Sequence, residues 1–143
     1  DDNQGRIWRI TYRGAAGAAL AAARPVTSEA ARAATPVLTP PPGFTRAQLA
    51  LGQRIFHGQA RNGTCAGCHG ADATGSSQAP GLISGHWLWG DGSVGAIAKV
   101  IATGVAKPKQ AAEPMPPKGG APLSPGDVRA VAAYVWALNH VKQ

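Results

Sequence analysis

The chain has 143 residues, about one domain's length, and its 14 Lys and Arg outnumber 7 Asp and Glu to give a net charge of +7. Charged residues make up 15% and aromatics 6%, while Gly (19) and Pro (12) together exceed a fifth of the chain. That stops short of the roughly 25–30% Pro plus Gly of a low-complexity chain, yet it leaves so few large side chains that something else has to help fill the core.

Asp1-Asp2-Asn3-Gln4-Gly5 reads as a turn and Arg6-Ile7-Trp8-Arg9-Ile10-Thr11-Tyr12 as a strand, which has no partner strand nearby and must pair elsewhere or stay loose. The uncharged run Gly14–Ala23 contains a single Leu. It falls well short of the roughly 20 apolar residues of a transmembrane helix. It is also too weakly apolar for a signal-peptide core, although Arg6, Arg9 and Arg13 precede it. Thr39-Pro40-Pro41-Pro42-Gly43 favours extended polyproline structure and reads as a semi-rigid linker. Residues 1–42 therefore form an N-terminal arm and linker, and 43–143 the domain proper.

The first helix starts at Thr45, which pairs with Gln48 three residues later as a capping box. Leu49, Gly52, Ile55 and Phe56 then recur on one face. Gly52 costs about 1 kcal/mol relative to Ala inside a helix, so it is either tolerated or marks a closely crossing neighbour. Short helical turns are expected around 62–69. A second helix runs from the N-cap Ser93 through Ile97, Val100 and Ile101 to Gly104, which suits a left-handed C-terminal position. The third has Ser124 as cap, Pro125 at the first helical position and Asp127 near the positive end of the helix dipole. Val128, Val131, Val135 and Leu138 form its stripe, flanked by Tyr134 and Trp136. Between the helices lie two aperiodic loops, 70–92 and 105–123, of a length that usually signals function.

Chemistry concentrates at Cys65-Ala66-Gly67-Cys68-His69. A cysteine pair at this spacing is a redox dithiol, half a zinc site, a disulfide or a c-type haem attachment motif. No βαβ pattern surrounds it, and no second Cys pair exists to complete a zinc site, with His57, His86 and His140 scattered along the chain. A disulfide over so small a loop stabilises little. The haem reading uses every member of the motif: two thioether bonds, with His69 as proximal iron ligand. The only methionine, Met115, sits in a Pro-rich loop with no apolar periodicity around it, which marks it as the candidate sixth ligand. His57, His86 and His140 compete for that role.

From about Gly43 onward the chain resembles class I cytochromes c. The matching features are Gly52 and Phe56, the Cys65–His69 motif, Ala79-Pro80-Gly81-Leu82, Met115-Pro116-Pro117 and Val131-Ala132-Ala133-Tyr134. His86-Trp87-Leu88-Trp89-Gly90 and the Leu123–Leu138 segment are similar to the cytochrome subunits of cbb3-type oxidases and related dehydrogenase domains. The resemblance implies an all-α fold around one covalent haem c, with the first and last helices crossing at Gly52, and one-electron transfer as the function. It implies further that His69 donates its other ring N–H to the Pro80 carbonyl, and that Leu82 lies in the haem pocket. Ile97, Val100 and Ile101 suit either the pocket or the core. Trp87 and Trp89 either donate to haem propionates or cover the ring, and one of them is expected to be core.

Residues 1–12 are similar to the closing strand of the β-propeller in pyrroloquinoline-quinone (PQQ) sugar dehydrogenases of the glucose/sorbosone type. This implies a chain that is the tail of a longer quinohaemoprotein dehydrogenase, with PQQ only in the upstream domain and no catalytic residue here. The donor is then that domain and the acceptor a respiratory oxidase, cytochrome or quinone pool, in the bacterial periplasm. The alternatives are a freestanding electron shuttle and a haem peroxidase or sensor with an open distal site. Lys107, Lys109 and Lys118 flank Met115, either as solubilising charge or to steer an acidic partner. There is no nucleic-acid-binding motif, and no dense basic stripe with interleaved aromatics.

Overall fold

The structure is a computed structural model and describes residues 37–141. The turn and strand expected over residues 1–12 and the alanine-rich stretch after them lie outside the described residues. Among the described residues there are four α-helices: α1 (Arg46–Phe56), α2 (Cys65–His69), α3 (Val94–Thr103) and α4 (Pro125–Leu138). Among the described residues the only β pairing is an isolated antiparallel bridge between Val105 and Met115. No helix there is long and apolar enough to cross a membrane.

Each long helix begins at a side chain that satisfies amides the helix itself leaves unpaired. At α1, Thr45 Oγ1 accepts from the Gln48 amide at 3.2 Å, and Gln48 Oε1 accepts in return from the Thr45 amide at 2.8 Å. At α3, Ser93 Oγ accepts from the Ala96 amide at 3.2 Å. At α4, Ser124 Oγ accepts from the Asp127 amide at 3.2 Å, and the Asp127 carboxylate accepts from the Ser124 amide at 3.0 Å. Asp127 is thus half of a reciprocal cap as well as a charge at the dipole, which the sequence reading did not anticipate. Caps of this kind contribute about 1 kcal/mol each.

The core lies where α1 crosses α4, with α3 packed on α4. Leu49, Gly52, Ile55 and Phe56 are the buried residues of α1. A Cβ at Gly52 would stand 2.0 Å from the Ala130 carbonyl oxygen, so the close crossing is what requires glycine here. Its partner α4 is buried on more than the expected stripe, because Ala130, Ala132, Ala133 and Ala137 are buried beside Val128, Val131 and Val135, whereas Leu138 is only partly so. Small side chains let neighbouring elements approach α4 from several directions. Tyr134 packs its ring 5.4 Å from that of Phe56 and shares a hydrogen bond with His57 Nε2 at 3.1 Å. The end of the proline run also touches this body, since Pro41 is buried and Leu38 packs against the core.

Gly104 ends α3 as expected, but with φ 69 and ψ −173 rather than in the left-handed helical well. That conformation is essentially restricted to glycine. A Cβ there would also meet the Met115 carbonyl oxygen at 2.4 Å, so this position is set by the loop passing over it as much as by the helix end.

Candidate haem site

α2 places Cys65 and Cys68 three residues apart, on one side of a helical turn. Both border an apolar cleft of about 210 Å³ into which loops 70–92 and 105–123 also bring side chains. A water molecule needs roughly 10–15 Å³ on such a measure, so this space is no packing defect. It is a site for a sizeable apolar group. Cys65 is half-buried, and that burial pushes its thiol pKa up. Cys68 is exposed.

His69 closes α2 and is half-buried in the same cleft wall. Its Nδ1 lies 2.9 Å from the Pro80 carbonyl oxygen. A carbonyl only accepts, so the bond places the proton on Nδ1 and leaves a lone pair on Nε2. Burial lowers the His69 pKa, opposed by that hydrogen bond, which favours the neutral ring that a metal ligand requires. Loop 70–92 is itself anchored by Asn139 at the end of α4. Its side-chain amide donates to the Leu82 and Val135 carbonyls, and its oxygen accepts from the Gly85 amide at 3.0 Å.

Leu82, Ile97, Val100, Ile101 and Phe56 supply apolar lining. The two tryptophans part company. Trp87 is half-buried, packs against the core and lies so close to Gly92 that a Cβ there would overlap its ring. Trp89 is 38% exposed on the rim, with Lys109 Nζ 4.4 Å above its ring centroid. The same ammonium donates to the Leu88 carbonyl at 2.9 Å, so Lys109 straps the two loops together.

Met115 reaches the cleft from loop 105–123, half-buried, with its amide and carbonyl both paired to Val105 at 3.0 and 2.8 Å. The histidines that compete with it are placed differently. His57 is engaged with Tyr134, and His140 stacks on Trp136 at 3.6 Å between centroids. His86 is exposed on the rim. Every residue nominated from sequence (Cys65, Cys68, His69, Pro80, Leu82, Trp87, Trp89 and Met115) borders this one cleft. Sequence reasoning missed Thr64, Gly119 and Asn139, which tie the walls together, and read Lys109 only as surface charge rather than as a strap. Only Asn139 carried a local signal, as a common helix-terminating residue.

Residues 49–139 match the cytochrome c family. The chain belongs to the cytochrome c family. Curated relatives include the cbb3-type cytochrome c oxidase subunit FixPc of Rhizobium leguminosarum bv. viciae, 42% identical over 79 residues, or 53% of this chain and 27% of that protein. The CcoP subunit of Rubrivivax gelatinosus is 41% identical over 91 residues, 64% of this chain and 26% of the subunit. CcoP of Rhodobacter capsulatus is 40% identical over 94 residues, covering 62% and 28%. The chain thus spans about a quarter of the length of these relatives.

Family membership implies a covalently held haem c and electron transfer. The residues fit that group: two thiols on one helical turn, an oriented neutral imidazole beside them and an apolar cleft that also receives a thioether.

Proposed function

We propose that the chain relays single electrons through a haem c attached at Cys65 and Cys68, with His69 and Met115 as axial ligands. The convergence of three side chains of α2 and the distant Met115 on one apolar cleft carries the reading. When bound, the haem supplies an iron that alternates between ferric and ferrous states. The chain's own residues do the rest. The Pro80 carbonyl orients His69 and raises its basicity as a ligand. Leu82, Ile97 and Ile101 exclude water, and Trp87 covers the cleft. A thioether at Met115 favours ferrous iron and raises the potential relative to a second histidine. With His69 and Met115 both holding the iron, the chain would leave no place for peroxide or oxygen to bind.

Replacing Met115 by Ala tests this in the holoprotein. The methionine–iron charge-transfer absorption of the oxidised form disappears, the midpoint potential falls, and the reduced form binds carbon monoxide readily. Retention of both absorption and potential would overturn the assignment.

The donor in this reading is a quinoprotein sugar dehydrogenase domain preceding Asp1 and holding PQQ, supported by the likeness of Asp1–Tyr12 in sequence to a propeller's closing strand. The acceptor is a respiratory carrier or oxidase, reached in the periplasm, where c-type haem attachment takes place in bacteria. Lys107 and Lys109 are exposed beside the Met115 loop, and Lys118 lies on it, which suits an acidic partner and association that slows as salt rises. The identity to cbb3 oxidase subunits favours a second reading, in which the domain delivers electrons within an oxidase. Coding sequence upstream of Asp1 separates these: a propeller supports the first, a membrane anchor the second, and a signal peptide ending directly before Asp1 would leave a freestanding shuttle.

A further inference from the structure

Thr64 occupies the N-cap of α2, where a threonine hydroxyl ordinarily accepts from the helix's own amides. Here it makes no such bond. Its Oγ1 instead donates at 2.7 Å to the carbonyl of Gly119, 55 positions away. The residue preceding the first attachment cysteine is therefore tied to the segment that follows Met115, and both ends of the tie border the cleft.

The path from Met115 to that tied carbonyl has little freedom. Pro116 and Pro117 have ring-fixed φ angles. Lys118 and Gly119 are left-handed, at φ 56 and 63, and the Gly119 amide closes the turn onto the Pro116 carbonyl at 3.0 Å. On the other side, Met115 is paired through both backbone groups to Val105. The methionine backbone is thus clamped from upstream by Val105 and from downstream by Thr64. The Lys109 strap is a rim contact of an exposed ammonium; Thr64 is the tie that joins the methionine segment directly to the Cys65–His69 helix.

We propose that Thr64 is a positioning residue for the sixth iron ligand. Its hydroxyl holds Met115–Gly119 against α2 and so limits how often the thioether leaves the iron. The proposal rests on the axial role for Met115 stated above.

The test uses holoprotein carrying Thr64→Val, which removes the donor with little change of shape at an exposed position, and Thr64→Ser, which keeps it. Carbon monoxide binds reduced protein only when the methionine is off. T64V should therefore bind it faster by roughly 2- to 10-fold, the span of one net intramolecular hydrogen bond, with a weaker methionine–iron absorption in the oxidised form. T64S should return both readouts to wild type. A wild-type rate and absorption in T64V, or failure of T64S to restore them, overturns the proposal. Met115→Ala measured alongside keeps the two ideas apart. If M115A itself leaves absorption and carbon monoxide binding unchanged, the axial assignment fails. If M115A opens the site and T64V does not, only the role of Thr64 fails.

Discussion

Where α1 crosses α4 the two backbones touch, Ile55, Phe56 and Val131 are sealed from solvent, and apolar packing fills the junction beside the Tyr134–His57 hydrogen bond. Beside that junction, loops 70–92 and 105–123 surround an apolar cleft of about 210 Å³ and are held in place by scattered hydrogen bonds, from Thr64 to Gly119, from Lys109 to Leu88 and from Asn139 to Leu82. One half of the domain is closed by its own side chains. The other half is walled but needs a further group to complete it. The aromatic-poor composition is explained by this division: the missing bulk belongs to the loop side, where the haem goes.

The comparison breaks most severely if the haem is withheld. Without the haem the apolar walls of the cleft meet water and forgo the burial that contributes about 25 cal/mol per Å², against a total stability of only about 5–15 kcal/mol for a small domain. A chain with Cys65 and Cys68 both replaced by Ala, and no haem bound, should lose cooperative thermal unfolding. Amides of loops 70–92 and 105–123 should exchange with solvent long before those of α1 and α4. Protection equal in loops and helices would show that the loop side is self-supporting after all.

The helix side breaks next, at Gly52. A Cβ there meets the Ala130 carbonyl at 2.0 Å, and overpacking of this kind costs about 1–3 kcal/mol or more, outweighing the roughly 1 kcal/mol of helix propensity that Ala gains over Gly. Gly95, exposed in α3 with nothing within 4 Å of its would-be Cβ, is the control. Gly52→Ala should lower the midpoint of thermal unfolding and Gly95→Ala should raise it. A rise in both would mean that α1 and α4 do not need their close approach.

The two sides also differ in how far the sequence announces them. Helix starts are three-residue signals, so Thr45 with Gln48, Ser93 and Ser124 were legible, as was the buried face of α1, because periodicity is local. Pairing the Cys65–His69 motif with the lone methionine likewise pointed to a common site before any geometry. The loop ties were not legible. A threonine before a cysteine reads as a helix cap, and nothing near Thr64 shows that its hydroxyl will find a carbonyl 55 positions away. Gly104 was read as a helix terminator, yet its neighbour is the Met115 backbone, which only the folded loop brings there. The breadth of burial on α4 was missed for a related reason. Alanine adds little to an apolar stripe, but in α4 it marks close approach.

Asp127 gives the smallest effect and the sharpest, because it separates the two sides by pH. Its carboxylate accepts from the Ser124 amide and hydroxyl at 3.0 and 2.7 Å, and these bonds hold its pKa below the usual carboxylate range. Arg61 Nε lies 3.5 Å away but is 61% exposed, and so adds little. A carboxyl with a depressed folded pKa contributes stability that is present above its unfolded value, about 3.9, and is lost as pH falls through the lower folded value. Asp127→Asn keeps the shape and removes the charge. It should cost up to about 1 kcal/mol at pH 7, at most roughly 4–8 °C in the unfolding midpoint of a domain this size, and the gap to wild type should narrow as pH drops below about 4. The loop tie at Thr64 is a neutral hydroxyl-to-carbonyl bond, so the factor by which Thr64→Val binds carbon monoxide faster than wild type should not vary over the same range. If D127N and wild type keep a constant gap down to pH 3, the α4 cap is held by shape rather than by charge, and the helix side has no acid-sensitive point at its N-terminus.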